Sequence, residues 1–143
     1  MTTIEKARED VSGSYDELRR KCFGDDDKTQ PAHLSVEENN LDSSGYSASL
    51  GKLVIYLSDG DLKAWDLPYF GGPPPSWWTT LLHEIIHEYQ HKRVEEPSTE
   101  GIALKEQHPR PFPGHGHDER FYTAVVAIAP AFEATPEEFL EMI

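Results

Sequence analysis

The chain is poor in cysteine, in basic side chains and in long apolar runs, and each shortage excludes a class of protein. It has 143 residues and one cysteine, which excludes an internal disulfide framework and a zinc site built on four cysteines. Its longest apolar runs, residues 53–57 and 124–129, are far shorter than the roughly 18 residues of a membrane span. We therefore expect no membrane partner. The charged residues 1–10 contain no apolar signal core, which favours a cytoplasmic protein.

The scarcity of basic residues also limits the kinds of partner that the protein is expected to bind. Lys and Arg number 13 against 26 Asp and Glu, which gives a formal net charge of −13. Sequence-independent binding to nucleic acid depends on Lys and Arg at the phosphates, so no nucleic-acid partner is expected. The 37% hydrophobic and 27% charged content is typical of a folded protein, and the length favours a single domain over residues 1–143.

The spacing of apolar and turn-forming residues predicts both helices and strands. Apolar positions three and four apart, together with capping residues, predict helices over residues 4–22, 76–94, 99–107, 117–129 and from Pro136 onward. Strand-forming composition predicts strands over residues 32–37, 46–50, 52–58 and 61–65. Ser76 is the expected N-cap of its helix. Residues 95–116 contain four prolines, and a connection of this length is typical of a functional or mobile segment.

The most informative segment is an HExxH pentapeptide, residues 83–87. Residues four apart on a helix lie about 6 Å apart on one face, so His83 and His87 can take two corners of a zinc tetrahedron. Glu84 follows the first histidine by about 100° and therefore flanks the metal, where it can accept a proton from the attacking water. Chance gives about 0.04 such matches in a chain of this composition. The motif predicts one zinc ion per chain and a hydrolytic reaction.

Zinc needs a third protein ligand, and the sequence offers more than one candidate. His117 is favoured, because a helix over residues 117–129 places it on the same face as Phe121, toward the core where the motif helix packs. His115, which lies between two glycines, and the acidic Glu133 are the alternatives. His91 is excluded, since it lies about two helical turns beyond the first motif histidine.

Other polar residues near these histidines have less specific expected roles. Asp118 is expected either to hold a ligand imidazole or to compensate the charge at a helix N-terminus. Tyr122 and Tyr89 are possible oxyanion donors, but packing is the expected role of each. His108 precedes a proline in a loop and is expected to be exposed.

Two segments of the chain together resemble a known family of peptidases. Residues 82–87, LHEIIH, followed by residues 116–122, GHDERFY, are similar to the SprT-like and WLM zinc metallopeptidases, in which a downstream histidine is followed four residues later by an aromatic. The resemblance covers roughly residues 77–128 of the chain. It implies an α+β zincin-like domain with a small antiparallel sheet packed on the motif helix. It also implies zinc ligation by His83, His87 and His117, with Glu84 as general base.

Three functions stay open at this point. The leading one is a zinc endopeptidase that acts on a peptide or protein substrate, with an exposed strand over residues 52–58 pairing with the extended substrate. The second is a zinc hydrolase that acts on a non-peptide bond. The third is a catalytically silent binding module, in which four protein ligands would surround a structural zinc.

Overall fold

The computed structural model describes residues 2–67, 74–110 and 116–143 of the chain. This part of the chain forms α1 (Ile4–Phe23), β1 (His33–Glu38), β2 (Gly45–Ser47), β3 (Lys52–Leu57), α2 (Asp59–Ala64), α3 (Ser76–Arg93), α4 (Thr99–Gln107), α5 (Glu119–Ile128), a 3₁₀ helix (Ala129–Phe132) and α6 (Pro136–Met142). The predicted α+β class is confirmed. None of the described helices has both the length and the apolar character that crossing a membrane requires.

The sheet is mixed, so the expectation of an antiparallel sheet was wrong. The central strand β3 pairs in parallel with β1 and antiparallel with β2, with Ile55 opposite Val36 and Leu53 opposite Tyr46. Because parallel neighbours need a long connection, residues 39–51 travel back along the sheet and contribute β2 on the way. Both edges of β3 are therefore occupied, and the expected pairing of residues 52–58 with a substrate is excluded.

One predicted strand is in fact a helix, and one predicted cap is misplaced. Residues 61–65 were predicted as a strand, but α2 begins at Asp59 because Ser58 and Asp61 form a reciprocal capping box. The Ser58 hydroxyl accepts a hydrogen bond from the Asp61 N–H at 3.1 Å, and the Asp61 carboxylate accepts one from the Ser58 N–H at 2.8 Å. On α3 the N-cap is Pro75 rather than Ser76, which is the first residue of the helix.

The motif helix α3 lies at the centre of the core. Its residues Leu81, Leu82, Ile85 and Ile86 are completely buried, and the helix contacts α1, α5 and the strands β2 and β3. Each such aliphatic side chain contributes about 1.5–3 kcal/mol when it is removed from water. The helix that carries the candidate site is thus held on several sides by apolar contacts.

A buried carboxylate adds a polar link between α3 and α1. Glu88 is completely buried and accepts hydrogen bonds from the Tyr15 hydroxyl at 2.7 Å, Arg19 Nε at 2.9 Å and Lys92 Nζ at 2.7 Å. Removing one partner of such a buried pair leaves an uncompensated charge and costs about 3–5 kcal/mol. The network therefore fixes the rotation of α3 about its own axis against α1.

Helices α4 and α5 approach each other closely at Gly101, and Gly13, a helical glycine in open space, provides a matched control for testing this contact. A Cβ added at Gly101 on α4 would lie 2.8 Å from the backbone N and Cα of Thr123 on α5, whereas one added at Gly13 on α1 would meet nothing within 4 Å. We expect Gly101→Ala to destabilise the fold by about 1–3 kcal/mol, because α4 and α5 must separate. We expect Gly13→Ala to stabilise it by up to about 1 kcal/mol, because alanine favours helix. Urea unfolding of both variants measures the difference, and a stabilising Gly101→Ala would contradict the close approach of the two helices.

Candidate metal centre

Three imidazoles from two separate parts of the chain meet at one point. His83 and His87 lie one turn apart on α3, and His117 lies just before α5. The Nε2 atom of His83 is 3.0 Å from Nε2 of His117 and 3.2 Å from Nε2 of His87. Among the residues that the structure describes, these three form the one group of His, Cys, Asp or Glu side chains arranged to hold a metal ion.

The spacing of these nitrogens fits ligation of one metal ion. With metal–nitrogen bonds of about 2.0–2.1 Å, neighbouring ligand atoms are about 3.4 Å apart around a tetrahedral ion and about 2.9 Å apart around an octahedral one, and the two Nε2 distances of 3.0 and 3.2 Å lie within this range. A neutral imidazole carries its one N–H on either ring nitrogen, so each of the three rings can present an unprotonated Nε2 to a cation. A cation at their meeting point would accept one lone pair from each ring. The donor set therefore fits a divalent metal.

Burial keeps the two α3 imidazoles neutral. It lowers the pKa of His83 to about 3, with the neighbouring His87 and His117 adding to the effect, and it also lowers the pKa of His87. A histidine must offer an unprotonated nitrogen to bind a metal. At neutral pH both rings therefore meet this requirement without first losing a proton.

A single aromatic ring lies against the whole imidazole cluster. The centroid of the Phe121 ring lies 5.5 Å from that of His83, 4.8 Å from that of His87 and 4.7 Å from that of His117. Phe121 is completely buried at the start of α5. An apolar wall of this kind restricts water around a metal and limits the rotation of its ligands. Phe121 is the aromatic that the family resemblance places four residues after His117, and its ring lies against all three histidines.

Glu84 follows the first motif histidine on α3 and is buried. Its exposed fraction is 9%, and burial raises the pKa of its carboxyl group to about 7, an effect that the nearby backbone of Tyr46 on β2 partly offsets. A carboxylate with a pKa in this range can both accept and return a proton near neutral pH. The strand β2 thus lies close to the HExxH motif.

His117 reaches the site from a different backbone position than predicted. The fifth helix begins at Glu119 rather than at residue 117, because the Asp118 carboxylate caps it by accepting hydrogen bonds from the N–H groups of Arg120 and Phe121 at 3.0 and 3.1 Å. His117 thus precedes the cap and does not belong to a helical face. The predicted residue is in the cluster, but the helical argument for it was wrong.

Two side chains that the sequence analysis did not single out join this segment to α3. The Gln90 amide is hydrogen-bonded to His87 Nδ1 at 3.0 Å and donates to Asp118 Oδ1 at 2.9 Å. From the other side, the Arg120 guanidinium of α5 donates to the backbone carbonyls of Gln90 at 3.1 Å and Val94 at 2.8 Å, near the end of α3. Asp118 therefore serves as the helix cap and reaches the His87 imidazole through Gln90. The feature of the sequence that could have indicated this role is the position of Gln90, a polar residue one turn after the second motif histidine.

The alternative ligands lie elsewhere or outside the described residues. His91 is exposed on α3, and its ring packs against Tyr46 at a centroid distance of 5.9 Å. Glu133 is exposed at the end of the 3₁₀ helix, outside the imidazole cluster. His115 lies outside the residues that the structure describes.

The two tyrosines have packing roles, as expected. Tyr122 is completely buried, and its hydroxyl donates to the carbonyl of His108 at 2.7 Å and accepts from the N–H of Arg110 at 2.9 Å. It therefore anchors the segment that follows α4. Tyr89 packs edge-on against Phe23 of α1, with a centroid distance of 5.1 Å. His108 is exposed, as predicted.

Comparisons of the chain with models of protein families, with curated proteins and with solved structures found no match. The resemblance to the SprT-like and WLM metallopeptidases therefore rests on residues 82–87 and 116–122.

Proposed function

We propose that this protein is a zinc-dependent metallopeptidase with a zincin-like site, and that it cleaves peptide bonds in a peptide or protein substrate. The observation that supports the proposal is the meeting of three Nε2 atoms at the helix that also carries the buried carboxylate of Glu84. Three protein ligands leave one tetrahedral position for water or substrate, which is the arrangement of catalytic rather than structural zinc sites.

His83, His87 and His117 would hold one zinc ion per chain. Imidazole nitrogens suit zinc, and three neutral imidazoles that leave one position open are a known ligand set of catalytic zinc sites. When bound, the metal supplies Lewis acidity, which polarises a carbonyl group and lowers the pKa of water.

Glu84 is the proposed general base. Its carboxylate would accept a proton from the attacking water and return it to the amine nitrogen of the leaving group, so that one side chain serves both halves of the hydrolysis. Among the described residues the imidazole cluster itself contains no acidic side chain, so the carboxylate that adjoins His83 in the sequence is the candidate base.

The outer edge of β2 is the proposed docking edge for an extended substrate. β2 pairs with β3 on one side only, and the backbone of its residue Tyr46 contacts Glu84. A peptide that adds as a further strand would gain main-chain hydrogen bonds and bring its scissile bond close to the general base. This replaces the earlier expectation that residues 52–58 bind the substrate.

The proposal is tested by assaying zinc-loaded and chelator-stripped protein against a diverse peptide library, with elemental analysis of both samples. We expect one zinc per chain, cleavage products detectable by mass spectrometry, loss of cleavage on stripping and recovery on adding zinc. A chain that takes up no zinc would exclude the proposal. A chain that binds zinc but cleaves no peptide would instead favour a non-peptide hydrolase or a zinc-stabilised binding module.

A further inference from the structure

We propose that Gln90 positions two of the three candidate ligands: it fixes the tautomer of His87 and holds the segment that carries His117. The inference rests on the proposed metal site but does not depend on which bond the protein cleaves. Gln90 would be a positioning residue, since its amide contacts a ligand and not the metal.

The first step of the argument is the burial of Gln90. Its exposed fraction is 2%, so the amide must find its hydrogen-bonding partners within the protein. Three partners surround it: Nδ1 of His87 at 3.0 Å, Oδ1 of Asp118 at 2.9 Å and the backbone carbonyl of Gly116 at 3.3 Å. Two of these partners, a carboxylate and a carbonyl, can only accept hydrogen bonds.

These two acceptors determine which way the amide points. A carboxylate and a carbonyl must face the NH₂ group, which has two N–H bonds to donate, so the amide oxygen of Gln90 must face His87. That oxygen can only accept, and the proton of the neutral His87 ring must therefore be on Nδ1. The remaining ring nitrogen, Nε2, is left with a free lone pair directed at His83 and His117. Gln90 thus selects the tautomer that can bind a metal.

The second step concerns the residues on either side of His117. The NH₂ group of Gln90 donates to Gly116 and to Asp118, the neighbours immediately before and after this histidine. Gly116 has a φ of +79°, and a Cβ there would lie 3.4 Å from Cε1 of His87, so the segment passes close to the second ligand. One buried amide therefore restrains both flanks of His117 relative to α3.

The first experiment measures the His87 tautomer in metal-free protein, so that it does not depend on zinc. Long-range ¹H–¹⁵N correlation spectra at about pH 8, above the ordinary histidine pKa of about 6.5, distinguish the two neutral forms. We expect the Nδ1–H form in the wild type and a shift toward Nε2–H in Gln90→Ala. The apolar Gln90→Leu, which fills a similar volume but offers no acceptor to His87, should shift the ring in the same direction and protects the test if Gln90→Ala does not fold. An Nε2–H ring in the wild type, or an unchanged Nδ1–H ring in both variants, would overturn the assignment.

The second experiment measures zinc affinity by competition with a chromophoric chelator. We expect Gln90→Ala to bind zinc about 10–100-fold more weakly, the usual effect of removing a side chain that holds a ligand. Gln107→Ala, at the exposed end of α4, is the matched control and should bind like the wild type. Equal affinities of Gln90→Ala and Gln107→Ala would overturn the positioning role. Absence of zinc binding by the wild type would overturn the metal centre itself, and the tautomer spectra would still decide what Gln90 does to His87.

Discussion

The Glu84→Gln variant should bind zinc as the wild type does and should lose hydrolysis by about 10²–10⁴-fold, the usual contribution of a general base. Glutamine fills nearly the same volume as glutamate, so the change should leave the candidate ligands His83 and His87 in place. It cannot accept a proton from the attacking water. Because burial raises the pKa of Glu84 to about 7, the uncharged glutamine should not lower the melting temperature.

The matched control is Glu95→Gln, an exposed residue just beyond the end of α3. It removes the same negative charge from the chain without touching the cluster, so its peptidase activity and its zinc affinity should equal those of the wild type. Initial rates on the same peptide substrate and zinc titrations of both variants check the expectation. Peptidase activity retained by Glu84→Gln would place the base on another residue.

Removing the imidazole of His117 should weaken zinc binding by more than the roughly 10–100-fold that follows loss of a side chain holding a ligand. Nε2 of His117 lies 3.0 Å from Nε2 of His83, within the distance that two ligands of one ion require. Zinc would also join the His117 segment to α3. The increase in melting temperature on adding zinc should therefore be much smaller in His117→Ala.

His91→Ala is the matched control for this change. It deletes an imidazole from the exposed face of the same helix that carries the motif, so zinc affinity and zinc-dependent stabilisation should stay as in the wild type. Isothermal titration with zinc compares the two variants, together with His115→Ala and Glu133→Ala. If one of these last two releases the metal while His117→Ala keeps it, the third ligand lies outside the observed cluster.

Local patterns predicted much of the site. The 3.6-residue period of a helix fixes the relation between His83, Glu84 and His87, so their side-by-side position could be derived from spacing alone. The helices ended close to their predicted limits, because their apolar stripes and capping residues are local signals. His117 lies in the cluster with the two motif histidines, although the structure places it before the cap of α5 and not on a helical face.

Features that depend on distant partners could not be predicted in the same way. The alternation of apolar residues along β3 is the same for a parallel and an antiparallel neighbour, so the mixed strand directions of the sheet could not be predicted from the sequence. Hydrophobic periodicity also assigns polar residues to the surface. It therefore missed Glu88 and Gln90, which are buried because residues far along the chain supply their hydrogen bonds.

The central claim is that three imidazoles hold one zinc ion and leave a position open for chemistry. The most direct measurement is a crystal structure of the zinc-loaded protein, with anomalous data collected at the zinc absorption edge. The account predicts one anomalous peak per chain, about 2.0–2.1 Å from Nε2 of each of His83, His87 and His117, with a solvent molecule in the fourth position. A fourth protein ligand in that position, or a peak at any other group of side chains, would contradict it.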